Sequence, residues 1–291
     1  MVSKVEIEKV RSKTAILLTL YSPNVNELLS NILSYKDQVN KVIVCDNSLE
    51  PISHELFSEL EVISLLENKG IAFAQNRSLI RAIELGYEYF IEMDQDSSLN
   101  SEYVEHIIKE YIIATKTLGQ VLGIGPLAVS EKDNFVYHDR ANLKGIAKVN
   151  HTLSSGFFYS KTAVEISGLK DEGLFIDLVD WEWCMRAQSK GLSTFVTPNV
   201  RISHTLGDKH LDFKGCKLGV PKPFRHYYQF RNTIELIFRS YIPITWKYKN
   251  LLKLFCKIFL YPVLLENGLM RLKYMLKGAM DGFKRCSGPL K

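Results

Sequence analysis

Tyr89-Phe90-Ile91-Glu92-Met93-Asp94-Gln95-Asp96-Ser97 runs from a largely apolar segment straight into two carboxylates two residues apart. The first five residues predict a buried strand, and Asp-Gln-Asp-Ser predicts its end and a turn. In extended backbone, positions i and i+2 point to the same side. Both carboxylates can then be aimed at one hard cation and the phosphates bound to it. A solvated Asp/Ser turn is the plainer alternative, and the surrounding chain has to weigh the two.

Outward from that stretch, strands and helices alternate. Residues 14–20, 41–46, 62–66 and 121–124 are short apolar runs that predict strands. Helices are expected over 22–33, with Ser22 as cap and Pro23 in the first turn, over 71–85, stopped by Gly86, and over 101–118. The strands are apolar on both faces, which predicts an α/β fold with a mostly parallel sheet covered by helices. Ligands of such sheets bind beyond the carboxyl ends of the strands. Asp46-Asn47-Ser48 and Asp94-Gln95-Asp96 both fall at such ends, so one sheet edge carries three carboxylates. After about Lys132 the alternation is lost. Residues 134–150 are expected to be irregular or a hairpin, 180–190 a helix ended by Gly191, and 193–196 and 200–203 short strands split by Pro198.

The bulk numbers set broad limits. The chain has 291 residues, 46% apolar and 24% charged, as ordinary globular proteins do. Its five cysteines, at 45, 184, 216, 256 and 286, form no C-x-x-C pair, which argues against a disulfide framework or a zinc site and for a reducing cytosol. The polar N-terminus lacks the apolar core of a signal peptide. Charge is uneven: from Ile234 onward eleven basic residues face three acids, a net of +8, which leaves −3 of the overall +5 for residues 1–233. A basic tail implies an anionic partner.

Several residues could carry chemistry. Asp177, Asp180 and Glu182 gather at the expected start of a helix, where the dipole favours acids; Asp177 or Asp180 could serve as a general base. Gly123-Ile124-Gly125-Pro126-Leu127-Ala128 fits G-x-G-x-x-A only nominally, since Pro126 opposes the phosphate turn and no acid follows at the right distance. His204 stands in polar surroundings as a candidate ligand for a metal or phosphate. Arg225, Tyr228, Arg231 and Asn232 are helically spaced, and guanidinium groups suit diphosphate recognition.

Taken together, Val44-Cys45-Asp46-Asn47-Ser48, the stretch from Asn68 to Asn76, Met93-Asp94-Gln95-Asp96-Ser97, and the stretch from Phe175 to Arg186 resemble the family-2 glycosyltransferases of the GT-A fold, in particular bacterial rhamnosyltransferases. The resemblance covers roughly residues 14–240. It implies a catalytic domain, expected over 1–233; the charge and spacing of the tail predict a basic, amphipathic helical region over 234–291. It implies nucleotide-sugar contacts from Asp46, Asn47, Asn76, Asp94, Arg225 and Arg231, and a Mg²⁺ or Mn²⁺ ion on Asp96 and His204. Asp180 matches the catalytic base. Val179 stands where the family often has Glu, so Asp177 shares the catalytic assignment. The implied activity is inverting transfer of a sugar, L-rhamnose from dTDP-L-rhamnose, to a hydroxyl of a growing, lipid-linked surface polysaccharide such as O-antigen.

Two rivals remain at this point. A haloacid-dehalogenase-like phosphatase would use Asp94 as nucleophile and Asp96 as acid/base, but that loop normally follows the first strand of its domain, and here three strands precede it. A non-catalytic membrane-surface scaffold would not need the acidic clusters. In the tail, Lys249, Lys253 and Lys257 recur every four residues, with Leu251, Leu254, Phe255, Ile258 and Phe259 expected opposite them. That pattern suits an anionic membrane surface, so a cytoplasmic protein peripheral to the inner face of the membrane is expected. The same helices could instead meet a second copy. Nucleic acid is not expected, because no recognition motif accompanies the charge.

Overall fold

The computed structural model describes residues 2–129, 143–204, 209–213 and 216–290. Part of the segment expected to be irregular, 134–142, and the stretch 205–208 lie outside them.

The first half alternates as expected. α1 (Lys4–Arg11) precedes β1 (Thr14–Leu20), α2 (Val25–Leu33), β2 (Lys41–Asp46), β3 (Glu61–Ser64), α3 (Ile71–Glu84), β4 (Tyr89–Asp94), β5 (Ser97–Ser98), α4 (Tyr103–Thr117) and β6 (Val121–Val129). β7 (Ala147–Val149), β8 (Phe158–Ser160), α5 (Lys161–Ser167), α6 (Val179–Ser189) and β9 (Ser193–His204) follow. The chain then forms a hairpin of β10 (Lys209–Phe213) and β11 (Cys216–Val220), and ends in α7 (Arg225–Ile237), α8 (Ile244–Leu264) and α9 (Gly268–Phe283).

Among the described residues the main sheet has nine strands, ordered β3-β2-β1-β4-β8-β6-β9-β5, with β7 on β9. β3, β2, β1 and β4 run parallel, as do β6 and β9; β8 enters antiparallel between β4 and β6. The strands are buried on both faces because each face has its own helical layer. Ile16, Leu18, Leu20, Ile91 and Met93 join a core with residues of α1, α2 and α4. Ala15, Leu17 and Phe90 point the other way, into a core with residues of α3, α5 and α6. This is the period-two alternation of a strand, and it puts Glu92 and Asp94 on the side of α3 and α6.

Several local expectations shift. α2 starts at Val25, capped by Asn24 rather than Ser22, because Ser22 takes φ +42° and its N–H donates to Ser48 Oγ at 2.8 Å. Pro198 does not split two strands: β9 runs through it, and the irregularity is absorbed where Gly125 pairs with Val196 but Leu127 with Arg201. The Gly123–Ala128 stretch lies inside β6, not in a phosphate-binding turn. α7 spans the position of the boundary expected at 233/234. Phe230 and Ile234 of α7 pack with Leu254 and Tyr261 of α8 and Met275 of α9. No helix of the described residues is long and apolar enough to cross a membrane.

α8 turns differently from expectation. Leu254 and Ile258 face α7 and α9, while Tyr248, Leu252, Phe255, Phe259 and Val263 form an exposed apolar stripe. Lys249 and Lys253 are exposed, but Lys257 turns inward and donates to Gln229 Oε1 at 2.8 Å.

Candidate active site

The parallel half of the sheet delivers its acids to one edge. Leu20 pairs with Asp46, and the preceding residue, Thr19, with Asp94. The turn after β4 is held by its middle residue: Gln95 Oε1 accepts from Tyr21 N at 2.8 Å, and Asn31 Nδ2 donates to the Gln95 carbonyl at 3.0 Å. The flanking Asp94 and Asp96 are partly exposed at the edge. β5 pairs Ser97 with His204, so the backbone of residue 204 reaches the neighbourhood of Asp96; the side chain of His204 lies outside what is described.

Asp180 joins this group from α6. Its carboxylate is partly exposed, and Oδ1 accepts from Lys170 Nζ at 3.0 Å. Lys170 also donates to Glu92 and to Gln75 Oε1 at 2.9 Å, and Glu92 accepts from Tyr159 Oη at 2.9 Å. Two carboxylates, Glu92 and Asp180, therefore share one buried ammonium, whose charge also reaches Asp94. Burial, followed by the charges of Asp96, Asp180 and Glu92, pushes Asp94 up to about 7. Burial alone would lower Lys170, but Asp180 and Glu92 more than offset it and hold the ammonium above the ordinary lysine value. The excess of negative charge and the hard oxygens of Asp94 and Asp96 fit a divalent cation with a diphosphate on it. Among the described residues no three acidic, imidazole or thiol groups stand close enough together to hold an ion by themselves.

The loop leading into α6 is bent hard. Phe175, Asp177 and Leu178 all have positive φ, near +65°, which costs about 1–3 kcal/mol for each such non-glycine residue. Neighbours hold it in place. Ile71 N donates to the Phe175 carbonyl at 2.7 Å, where the close approach leaves room only for a glycine: a Cβ on Gly70 would lie 2.6 Å from that oxygen. Asn232 Nδ2 reaches the carbonyls of Leu174, Ile176 and Asp177 at 3.0, 2.8 and 2.8 Å, and Arg231 Nη2 those of Gly173 and Leu174 at 2.9 and 2.8 Å.

The expected site residues thus divide. Asp94, Asp96 and Asp180 come together. Asp177 lies one turn away, with its carboxylate against the Arg225 guanidinium. Asp46 sits at the same sheet edge but is buried, accepting from Ser48 N and Ile52 N at 3.0 and 3.1 Å. Asn47 is buried and ties two loops, bonding Asn68 Oδ1 and Lys69 N. Asn76 clamps the backbone of Lys170. Arg231 is fully buried and spends its donors on carbonyls and on Asn232, so the guanidinium does not reach the open edge. Glu182 is likewise structural, held by Arg186 and Tyr241. Sequence reading missed Glu92 and Lys170. A lone acid inside the apolar run of β4 was a usable signal for Glu92; nothing local marks Lys170.

No protein-family model matches the chain. It is 28% identical over 291 residues to the dTDP-rhamnosyl transferase RfbF of Shigella flexneri, covering 94% of this chain and 96% of that protein. In fold it is similar to Staphylococcus aureus TarS 1–349, solved with UDP-GlcNAc (TM-score 0.60, 14% identity, 94% of this chain and 81% of that one). It is also similar to GalNAc-T7, solved with UDP, GalNAc and Mn²⁺ (TM-score 0.51, 11% identity, 86% and 57%). With that sheet, that acidic edge and that full-length likeness, this chain is a glycosyltransferase of the GT-A fold, rhamnosyltransferase-like in sequence.

Proposed function

We propose that the protein transfers L-rhamnose from dTDP-L-rhamnose, with inversion, to a hydroxyl of a lipid-linked glycan at an anionic membrane surface. The observation that carries this reading is the meeting of Asp94 and Asp96 from the end of β4 with Asp180 from the start of α6. The full-length likeness to a dTDP-rhamnosyl transferase supports the donor.

Asp96, with the residue-204 position beside it, would hold a divalent cation, and Asp94 would face the ribose or diphosphate. When bound, the cation supplies positive charge against the leaving diphosphate. Asp180 takes the acceptor hydroxyl proton on its free oxygen. The acceptor oxygen then bonds to the anomeric carbon from the face opposite the diphosphate, and the breaking bond leaves its electron pair on the diphosphate. One base and one displacement give inversion. Asp177, committed to Arg225, is the weaker candidate for the base. Asp46 and Asn47 shape the loop that would receive the nucleobase, and Arg225, paired with Asp177, would offer its guanidinium to the diphosphate.

The acceptor side rests on α8. Tyr248, Leu252, Phe255, Phe259 and Val263 are exposed, Lys249 and Lys253 flank them, and the tail is strongly basic. A solvated apolar stripe beside cations suits an anionic bilayer surface.

The test is Asp180→Asn, which keeps shape but cannot accept a proton. Turnover should drop on the order of 10²–10⁴-fold, while calorimetric binding of dTDP-L-rhamnose with Mn²⁺ stays intact. Tighter binding of a UDP-hexose than of dTDP-L-rhamnose would refute the donor, and an active D180N would refute the base.

A further inference from the structure

The reaction outlined above makes no use of the buried ammonium at the floor of the acidic site. Lys170 is 4% exposed, in the loop between α5 and α6. All three of its protons are committed, to Gln75 Oε1, Glu92 and Asp180 Oδ1. Its backbone is committed as well: Lys170 N donates to Asn76 Oδ1 at 3.0 Å, and its carbonyl accepts from Asn76 Nδ2 at 2.9 Å. Asn76 and Gln75 are neighbours on α3, so one helix fixes both ends of the residue. Such an ammonium has one orientation available to it.

We propose that Lys170 is the positioning residue of the general base: it grips Oδ1 of Asp180 and thereby turns Oδ2 to the acceptor hydroxyl. This rests on the assignment of Asp180 as the base. Among the described residues Oδ2 accepts no hydrogen bond, and the carboxylate is 30% exposed, so one oxygen is held and the other is open. The charged and titratable groups facing Asp180 are Lys170, Glu92 and Asp94 from β4, Tyr159 from β8 and Cys184 on α6 itself. Lys170 is the cation among them. Without it Asp180 would stand among like charges and lose its fixed direction. A lysine that merely filled the core would affect folding but not kcat in a folded variant.

The test separates kcat from donor affinity in folded variants, using dTDP release from dTDP-L-rhamnose with octyl α-L-rhamnoside as acceptor. Lys170→Met should lower kcat about tenfold or more, while calorimetric affinity for dTDP-L-rhamnose with Mn²⁺ stays unchanged. Lys170→Arg, which keeps a charged donor beside Oδ1, should recover part of the loss. Gln75→Met removes one anchor of the ammonium without touching Asp180, and should lower kcat with donor affinity unchanged. That variant decides the matter should K170M fail to fold, as removing one partner of a buried ion pair sometimes causes. An unchanged kcat in Q75M, and in any folded K170M, overturns the proposal. If D180N is inactive while those variants keep full kcat, only the role of Lys170 falls; if D180N turns over normally, the base assignment itself is lost.

Discussion

The side-chain amide of Asn232 donates to the main-chain carbonyl of Asp177 at 2.8 Å. Through this bond, and those to Leu174 and Ile176, a residue of the C-terminal helical part holds the positive-φ turn that launches α6 and Asp180. Asn232→Ala would leave buried carbonyls unpaired, at about 1–3 kcal/mol, and would release a strained loop. A fall in melting temperature with a larger fall in kcat than in donor affinity is expected; thermal unfolding and steady-state kinetics measure both.

Gly70→Ala should act on the same turn from the other side. Gly70 has φ +89°, and a Cβ there would meet the Phe175 carbonyl at 2.6 Å. The loop must shift or the variant must lose stability by more than the roughly 1 kcal/mol of a routine glycine change. Unchanged melting temperature and unchanged activity would contradict the close approach.

Asp96→Ala should abolish transfer with the fold intact, since the carboxylate is partly exposed and, among the described residues, accepts one long contact from Ser97. Circular dichroism should be native. Activity that persists at saturating Mn²⁺ would remove Asp96 from the cation site.

The charge crowding around Asp94 makes cation binding depend on pH. Its carboxyl titrates near 7 in the cation-free protein, so below that pH a cation must displace a proton. Mn²⁺ affinity, read by titration calorimetry, should rise as pH goes from 6 to 8. Stability has the opposite sign without metal. Between about 4 and 7 the folded state holds a proton that the unfolded state has lost, so stability falls as pH rises through that window. Asp94→Asn should flatten both trends; an Mn²⁺ affinity independent of pH would count against the arrangement.

The exposed stripe on α8 predicts membrane attachment that needs both charge and apolar contact. Lys249→Glu with Lys253→Glu should weaken co-sedimentation with phosphatidylserine-containing vesicles, by about 1 kcal/mol for each lost basic residue, and salt should weaken the wild type likewise. Phe255→Ser with Phe259→Ser should weaken it at any salt concentration. Lys257→Gln should do little, because that lysine faces Gln229. Equal sedimentation of all variants would point instead to a contact with a second copy.

Local pattern by itself determined much of this protein. The apolar runs of β1, β2 and β4 carry their own boundaries, because a strand buried on both faces is apolar over most of its length and stops where the edge carboxylates begin. The edge position of Asp46, Asp94 and Asp96 follows from that, since parallel strands share their carboxyl ends. The tertiary structure decided which distant side chains meet. Glu92 lies 78 residues from Lys170, and Asn232 lies 55 from Asp177; no periodicity encodes such pairs. Arg231 looked like a diphosphate ligand because its helical spacing is compatible with either an open or a buried face, and packing against the 173–177 turn chose the buried one. For the same reason α8 turned Leu254 and Lys257 inward and Phe255 and Phe259 outward: a helix that is apolar over most of its circumference has no face marked in advance, and its neighbours α7 and α9 selected one.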